Sequence, residues 1–125
     1  MLAENPALFM KRMFLSWKLL FPLPKHRTCK PVNGLLFPFY FDEDLPTTKA
    51  MYAGVYETGV VETMRRYLKA GSTFIDVGAK VGYLTAQGAG FVGKSGEIHS
   101  FEPVPRFYER LVEMAAKNQE YRIIP

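Results

Sequence analysis

The segment TFIDVGAKVGYLT, residues 73–85, decides the fold. Residues 72–77 are rich in β-branched and aromatic side chains, which is typical of a buried parallel strand. Gly78 marks a turn, and residues 81–91 have helical composition, although Gly88 and Gly90 weaken the end of that helix. The segment therefore predicts a strand, a short loop and a helix.

The rest of the chain repeats this alternation. Residues 97–101 predict a second strand that ends at Glu102-Pro103, residues 105–118 a helix, and residues 121–125 the start of a third strand. Phe101 and Phe107 are predicted to lie in the core. The order β-α-β-α-β predicts an α/β fold with a parallel sheet and right-handed crossovers.

The loop after the first strand is the predicted ligand site. It opens a helix whose backbone N–H groups favour anionic or polar ligand atoms, and its glycines allow close approach of a ligand. Glu102 lies 24 residues after Gly78, near the offset of about 20 residues at which an acidic side chain binds ribose hydroxyls. The dinucleotide pattern G-x-G-x-x-G fails at Lys80 and Tyr83, which disfavours an NAD-dependent dehydrogenase. The residues match acidic-x-Gly-x-x-x-Gly instead, with Asp76, Gly78 and Gly82.

Three segments together resemble the FkbM-type methyltransferases, which use S-adenosylmethionine. They are MYAGVYETGVVETMRRYLKAGS (51–72), FIDVGAKVGYLT (74–85) and IHSFEPVPRFYERL (98–111). The resemblance covers residues 51–125 and implies a Rossmann-like methyltransferase fold. It also implies methyl transfer to an oxygen, or less readily a nitrogen, of a small molecule or sugar.

The resemblance implies cofactor-binding roles for particular residues. Gly78, Ala79 and Gly82 would shape the loop around the methionine part of the cofactor, and Glu102 would hold the ribose hydroxyls. Asp76 would orient the loop or the cofactor's amino group. Tyr56 and Glu57 would border the pocket. Each residue also has a purely structural alternative, such as a turn cap at Asp76 or helix packing at the glycines, and no catalytic base is visible.

Lys80 departs from the family pattern, which has Asn at this position. In a left-handed backbone conformation lysine would cost on the order of 1 kcal/mol. In a right-handed one it would cost nothing, and its ammonium group could meet the cofactor carboxylate, point to solvent or crowd the cofactor.

The second departure is length. The family's fold continues after its third strand, and the later strands carry the adenine contacts and the substrate site. This chain of 125 residues is therefore interpreted as the N-terminal half of the domain. The alternative is a non-catalytic, truncated or degenerate copy that acts, if at all, as a binding or interaction fragment.

Charge and composition exclude other classes. Cys29 is a lone cysteine and the two histidines lie far apart, so no metal site is expected and a reducing, cytoplasmic compartment is favoured. The net charge of the chain is +4, and its positive excess lies in residues 1–30, which carry six Lys/Arg against one Glu. No basic and aromatic stripe continues beyond them, which argues against nucleic-acid binding.

Residues 1–50 are predicted to form an extension before the domain. Residues 6–21 predict a basic amphipathic helix that packs on the domain or a protein partner, or lies on an anionic membrane surface. The lysines and arginine in it argue against a transmembrane span or a signal peptide. Asn33-Gly34 predicts a hairpin-like turn before an edge strand that contains Pro38. Residues 58–71 predict a helix with one apolar face, made of Val60, Val61, Met64, Tyr67 and Leu68.

Overall fold

The computed structural model describes residues 27–41 and 44–125. The helix predicted for residues 6–21 lies outside the described residues. Of those described, Arg27 and Tyr40–Tyr56 belong to one compact unit, and Thr28–Phe39 and Glu57–Pro125 to a second. The elements in chain order are β1 (Arg27–Val32), β2 (Leu35–Tyr40), α1 (Leu45–Ala53), α2 (Thr58–Tyr67), β3 (Thr73–Val77), α3 (Tyr83–Val92), β4 (Glu97–Phe101), α4 (Pro105–Ala116) and β5 (Arg122–Ile124).

The second unit is built on the predicted parallel sheet. Its strand order is β3-β4-β5, and both pairings are parallel. The β-α-β-α-β prediction is therefore confirmed, and the chain has an α/β fold. Because Val77 pairs in register with Phe101, the loops that follow β3 and β4 leave the sheet side by side.

The two faces of this sheet differ in exposure. α3 packs on the face of Phe74 and Asp76, where Ile98 and Ser100 are also buried. On the opposite face Val77 is 80% exposed and Phe101 57% exposed. The predictions of a buried β3 and of Phe101 in the core were therefore wrong, because the described helix α3 covers the other face. Phe107 is half-buried.

Close packing explains the glycines of α3. A Cβ atom on Gly88 would lie 2.5 Å from Cδ1 of Phe74, and one on Gly90 would overlap Asn33. The glycines therefore let the helix approach both β3 and the β1–β2 turn. The sequence interpretation of them as a weak helix end missed this role.

The β1–β2 hairpin forms at the predicted turn. Asn33 and Gly34 both have positive φ, 46° and 92°, as a two-residue hairpin turn requires. The Asn33 side chain donates a hydrogen bond to the Gln87 carbonyl at 2.8 Å. Further along, Asn118 accepts from the Leu36 N–H and donates to the Leu36 carbonyl, at 2.8 and 3.0 Å. These contacts join the hairpin to α3 and to the segment after α4 within the second unit.

Helix α2 confirms the position of the helix predicted for residues 58–71. The predicted apolar face is only partly buried. Met64 is buried, whereas Tyr67 is 78% exposed. The helix ends at Tyr67 because Leu68 is extended. Lys69 lies beyond the helix, yet its Nζ donates to the Arg66 carbonyl at 2.9 Å.

Helix α1 in the first unit is absent from the sequence prediction. Pro46 lies in the first turn of α1, where a missing N–H costs nothing. Asp44 caps this turn by accepting a hydrogen bond from the Thr47 N–H at 3.4 Å.

Candidate functional site

The loop between β3 and α3 is attached to the end of β4. The N–H groups of Gly78 and Ala79 both donate to the Phe101 carbonyl, at 2.8 and 3.0 Å. Gly78, Lys80 and Gly82 have positive φ values of 80°, 52° and 86°. Positive φ at every second residue makes the loop turn tightly at the carboxyl edge of the sheet, where parallel α/β sheets bind ligands.

Lys80 adopts the left-handed conformation, which decides between the two backbone alternatives for this residue. With a φ of 52° its backbone conformation costs on the order of 1 kcal/mol. Its N–H donates to Oε2 of Glu102 at 2.8 Å. Its Nζ lies 5.5 Å from the centre of the Phe107 ring, and Arg106 stacks on the same ring at 4.7 Å.

Glu102 joins the glycine loop to the start of α4. One carboxylate oxygen accepts the Lys80 N–H, and the other accepts the Val104 N–H at 2.8 Å. A carboxylate offers about four acceptor positions, so two such bonds leave capacity for ligand hydroxyls. The structure thus places Glu102 against the loop, and its binding of ribose hydroxyls remains a prediction.

Asp76 lies under the loop and is buried, with 8% of its surface exposed. Its Oδ2 accepts a hydrogen bond from the Thr85 hydroxyl at 2.6 Å, and Thr85 is in turn bonded to Ser100 at 2.9 Å. Burial raises the pKa of Asp76, and the nearby charge of Glu102 raises it further, whereas hydrogen bonds from Thr85 lower it. Thr85 and Ser100 were missed as site residues because a single hydroxyl on a helix or strand carries no spacing signal.

The two loop glycines have different surroundings. A Cβ on Gly82 would lie 2.8 Å from Leu111 and 2.9 Å from Met114, so Gly82 is needed for packing of α4. A Cβ on Gly78 would meet nothing within 4 Å. Gly78 therefore faces open space beside the loop, and Ala79 is buried behind it.

Glu102 also lines a surface cavity of about 450 Å³. Such a volume falls within the range of small-molecule sites, about 300–1,000 Å³. Its walls are mostly apolar or aromatic and include His99, Phe101, Glu102, Tyr108, Ile124 and Pro125. Glu102 is the predicted site residue shared by the loop and the cavity.

Tyr56 and Glu57 remain predictions as pocket residues. Glu57 precedes α2 and has a φ of 49°, a left-handed conformation. Tyr56 belongs to the first compact unit, and neither residue is among the cavity walls.

Two further features of the described residues concern metal sites and membrane spans. Within residues 27–41 and 44–125, no group of three or more His, Cys, Asp or Glu side chains could hold a metal ion. Among the described helices, none has the length and apolar character to cross a membrane.

Comparisons with known proteins add little to this geometry. Neither protein-family models nor curated proteins match the chain. Among solved structures it is similar to Aeropyrum pernix fibrillarin in complex with natively bound S-adenosyl-L-methionine, with 13% identity and a TM-score of 0.44. The similarity covers 86% of this chain but 43% of that one, so the chain spans less than half the length of that structure.

Proposed function

We propose that the second unit is the cofactor-binding part of an S-adenosylmethionine-dependent methyltransferase of FkbM type. The observation that carries this proposal is the position of Glu102. Its carboxylate is bonded to the Lys80 N–H of the glycine loop and also lines the cavity. A ligand with a vicinal diol between a polar amino-acid end and a planar ring would meet the loop, the carboxylate and the cavity in that order.

The residues present fit such a cofactor. The open space at Gly78 would accept its amino-acid end, Glu102 retains acceptor positions for ribose hydroxyls, and aromatic walls such as Tyr108 suit a flat ring. When bound, the cofactor supplies an activated methyl group. The chain's own contribution is to bind and orient it, because positioning for in-line attack carries much of such a reaction.

The acceptor is proposed to be a small molecule or sugar, by resemblance alone, and the partial-domain interpretation is proposed on the same ground. No nucleic-acid partner is proposed. A cytoplasmic location and a membrane or protein contact through residues 6–21 also remain proposals.

The alternative, a non-catalytic interaction fragment, is favoured by a different observation. Ile75, Val77 and Phe101 form an exposed apolar patch on one sheet face, and such patches mark interaction surfaces. Ligand binding separates the two functions.

The test is calorimetric titration with S-adenosylhomocysteine. Glu102→Gln removes the negative charge that accepts hydrogen bonds from the ribose hydroxyls. Its affinity for S-adenosylhomocysteine is therefore expected to fall at least tenfold. Glu109→Gln, an exposed change on α4, is the matched control and is expected to bind as the wild type does.

Adenosine and 2′,3′-dideoxyadenosine sharpen the test. The wild type is expected to bind adenosine more tightly than 2′,3′-dideoxyadenosine, and Glu102→Gln is expected to bind the two with similar affinity. The difference isolates the interaction between the Glu102 carboxylate and the ribose hydroxyls. A folded wild-type chain that binds none of these ligands would eliminate the cofactor site and leave the interaction function.

A further inference from the structure

Three polar side chains form a buried row beneath the glycine loop. Asp76 on β3 is 8% exposed, Thr85 on α3 is fully buried, and Ser100 on β4 is 1% exposed. Asp76 and Ser100 are in register on adjacent strands, and Thr85 bonds to both. Burying three polar groups together is costly compared with burying apolar ones of the same shape.

The protons of this row have one arrangement while Asp76 is ionised. A carboxylate can only accept, so the single proton of the Thr85 hydroxyl is donated to Oδ2 of Asp76. Thr85 must then accept from Ser100, although the 2.9 Å distance alone allows either direction. Ser100 therefore donates its hydrogen bond to Thr85, and Thr85 donates to Asp76. The 2.6 Å separation of Thr85 and Asp76 is typical of a bond to a charged oxygen.

We propose that Thr85 and Ser100 are positioning residues that hold the Asp76 carboxylate in one orientation beneath the loop, as an acceptor for the cationic amino group of the ligand. This rests on the proposed function, which it extends to two residues that do not reach the ligand. Of the two residues, only Thr85 is hydrogen-bonded to the Asp76 carboxylate, through its hydroxyl and its backbone. Ser100 acts through Thr85, because donating to that hydroxyl polarises it.

The charge on Asp76 depends on its neighbours as well as on this row. Glu102 repels it electrostatically. The other titratable groups on the adjoining elements are Tyr83 on α3 and Glu97 and His99 on β4, whose strand positions alternate with buried Ile98 and Ser100. Loss of the Thr85 hydroxyl leaves only the Thr85 backbone hydrogen bond to oppose the effect of burial on the pKa of Asp76, so Asp76 would bind a proton more tightly.

The experiment is an NMR titration of the ¹³C-labelled Asp76 carboxyl group in Thr85→Val, Thr85→Ser and Ser100→Ala, with exposed Ser95→Ala as control. Thr85→Val is expected to increase the proton affinity of Asp76 about threefold to tenfold, the effect of one hydrogen bond. Thr85→Ser should restore it, and Ser100→Ala should produce a smaller increase. Should Thr85→Val fail to fold, Ser100→Ala still decides. An unchanged titration midpoint of Asp76 in that variant would overturn the proposal that Ser100 acts on Asp76 through Thr85.

Affinity for S-adenosylhomocysteine is measured on the same variants. It should fall about tenfold in Thr85→Val, fall less in Ser100→Ala, and stay at the wild-type value in Thr85→Ser and Ser95→Ala. Wild-type binding with unchanged affinity in both Thr85→Val and Ser100→Ala would overturn the positioning role and leave the proposed function standing. Absence of wild-type binding would overturn the proposed function, and with it the ligand role of the row, whatever the titration gives.

Discussion

Lys80 shows how one residue can conflict with the backbone it occupies. Its φ of 52° suits Gly or Asn better than a side chain with a long aliphatic stem. The conflict persists because the Lys80 N–H is held by Glu102 and its neighbours in the loop are held by the Phe101 carbonyl. The strain is therefore stored where the ligand is proposed to bind.

Replacing Lys80 by Asn should relieve that strain. The free energy of unfolding is expected to rise by about 1 kcal/mol, because Asn tolerates the left-handed region. The backbone bond to Glu102 is kept, so affinity for S-adenosylhomocysteine should stay within about threefold. Urea denaturation and calorimetry measure the two quantities. Lys94→Asn lies in an exposed turn without positive φ. It loses only the contact of its Nζ with the Tyr121 ring at 6.0 Å, so it should not raise the free energy of unfolding and should leave the affinity unchanged. A large loss of affinity in Lys80→Asn would instead indicate an ammonium contact with the ligand.

Asp76 gives a prediction for the pH dependence of stability. Because burial raises its pKa in the folded state, the folded chain binds a proton that the unfolded chain has lost. The stability contributed at this site is therefore greatest at low pH and falls as pH rises from the unfolded pKa through the folded one. Asp76→Asn keeps an acceptor for Thr85 without the charge.

The Asp76→Asn variant should be more stable than the wild type at pH 7, by roughly 1 kcal/mol, and should show a flatter stability profile over that window. Its affinity for S-adenosylhomocysteine should fall, because the ligand's ammonium group loses its counter-charge. Denaturation at a series of pH values provides the measurement. Lower stability at pH 7 would mean that the carboxylate is itself a net stabilising group.

At the scale of elements, the glycine loop packs closely against α4. Gly82 begins α3 at the point where Leu111 and Met114 of α4 approach it most closely, and Gly78 faces open space. The same residue type therefore serves packing at one position and access at the other.

Substituting each of the two glycines by Ala should separate these roles. Gly82→Ala combines a positive φ with contacts below 3 Å, so we expect a loss of about 2–4 kcal/mol in unfolding free energy. Gly78→Ala has only the conformational cost, about 1 kcal/mol. It should nevertheless weaken ligand binding more than its modest instability explains. Equal affinities of Gly78→Ala and the wild type would contradict ligand approach at this position.

At the scale of the sheet-bearing unit, the alternation of strand and helix segments in the sequence was sufficient to predict the sheet topology. It was not sufficient to predict which side chains of the sheet are exposed. Strands Glu97–Phe101 and Arg122–Ile124 follow from β-branched and aromatic runs between turn signals, and parallel pairing follows from the helices between them. Exposure depends on which elements cover each face, which no local pattern encodes, and so Phe101 was misassigned to the core. Similarly, α1 has no apolar periodicity by which it could be recognised. The position of Glu102 beside the loop could be predicted because a strand end has a defined place in the fold, whereas the Thr85–Ser100 contact exists only after folding.

The exposed sheet face supplies a test of this account. Val77→Lys should change the free energy of unfolding by no more than about 0.5 kcal/mol, because Val77 is 80% exposed on an edge strand of the described sheet. It should also reduce binding of the dye ANS. Ile98→Lys, at a fully buried position of the neighbouring strand, is the matched change and should prevent folding. Strong destabilisation by Val77→Lys would show that this face is covered in solution.

The Asn33-Gly34 turn sets a chemical lifetime for the hairpin. Asn followed by Gly is the sequence most prone to spontaneous deamidation, which converts the side-chain amide to a carboxylate. Here the amide donates to the Gln87 carbonyl, so the product would place a negative acceptor against another acceptor. Preparations stored at alkaline pH are therefore expected to accumulate a more acidic form in which the hairpin has loosened from α3. The age of a sample should accordingly be recorded with its stability.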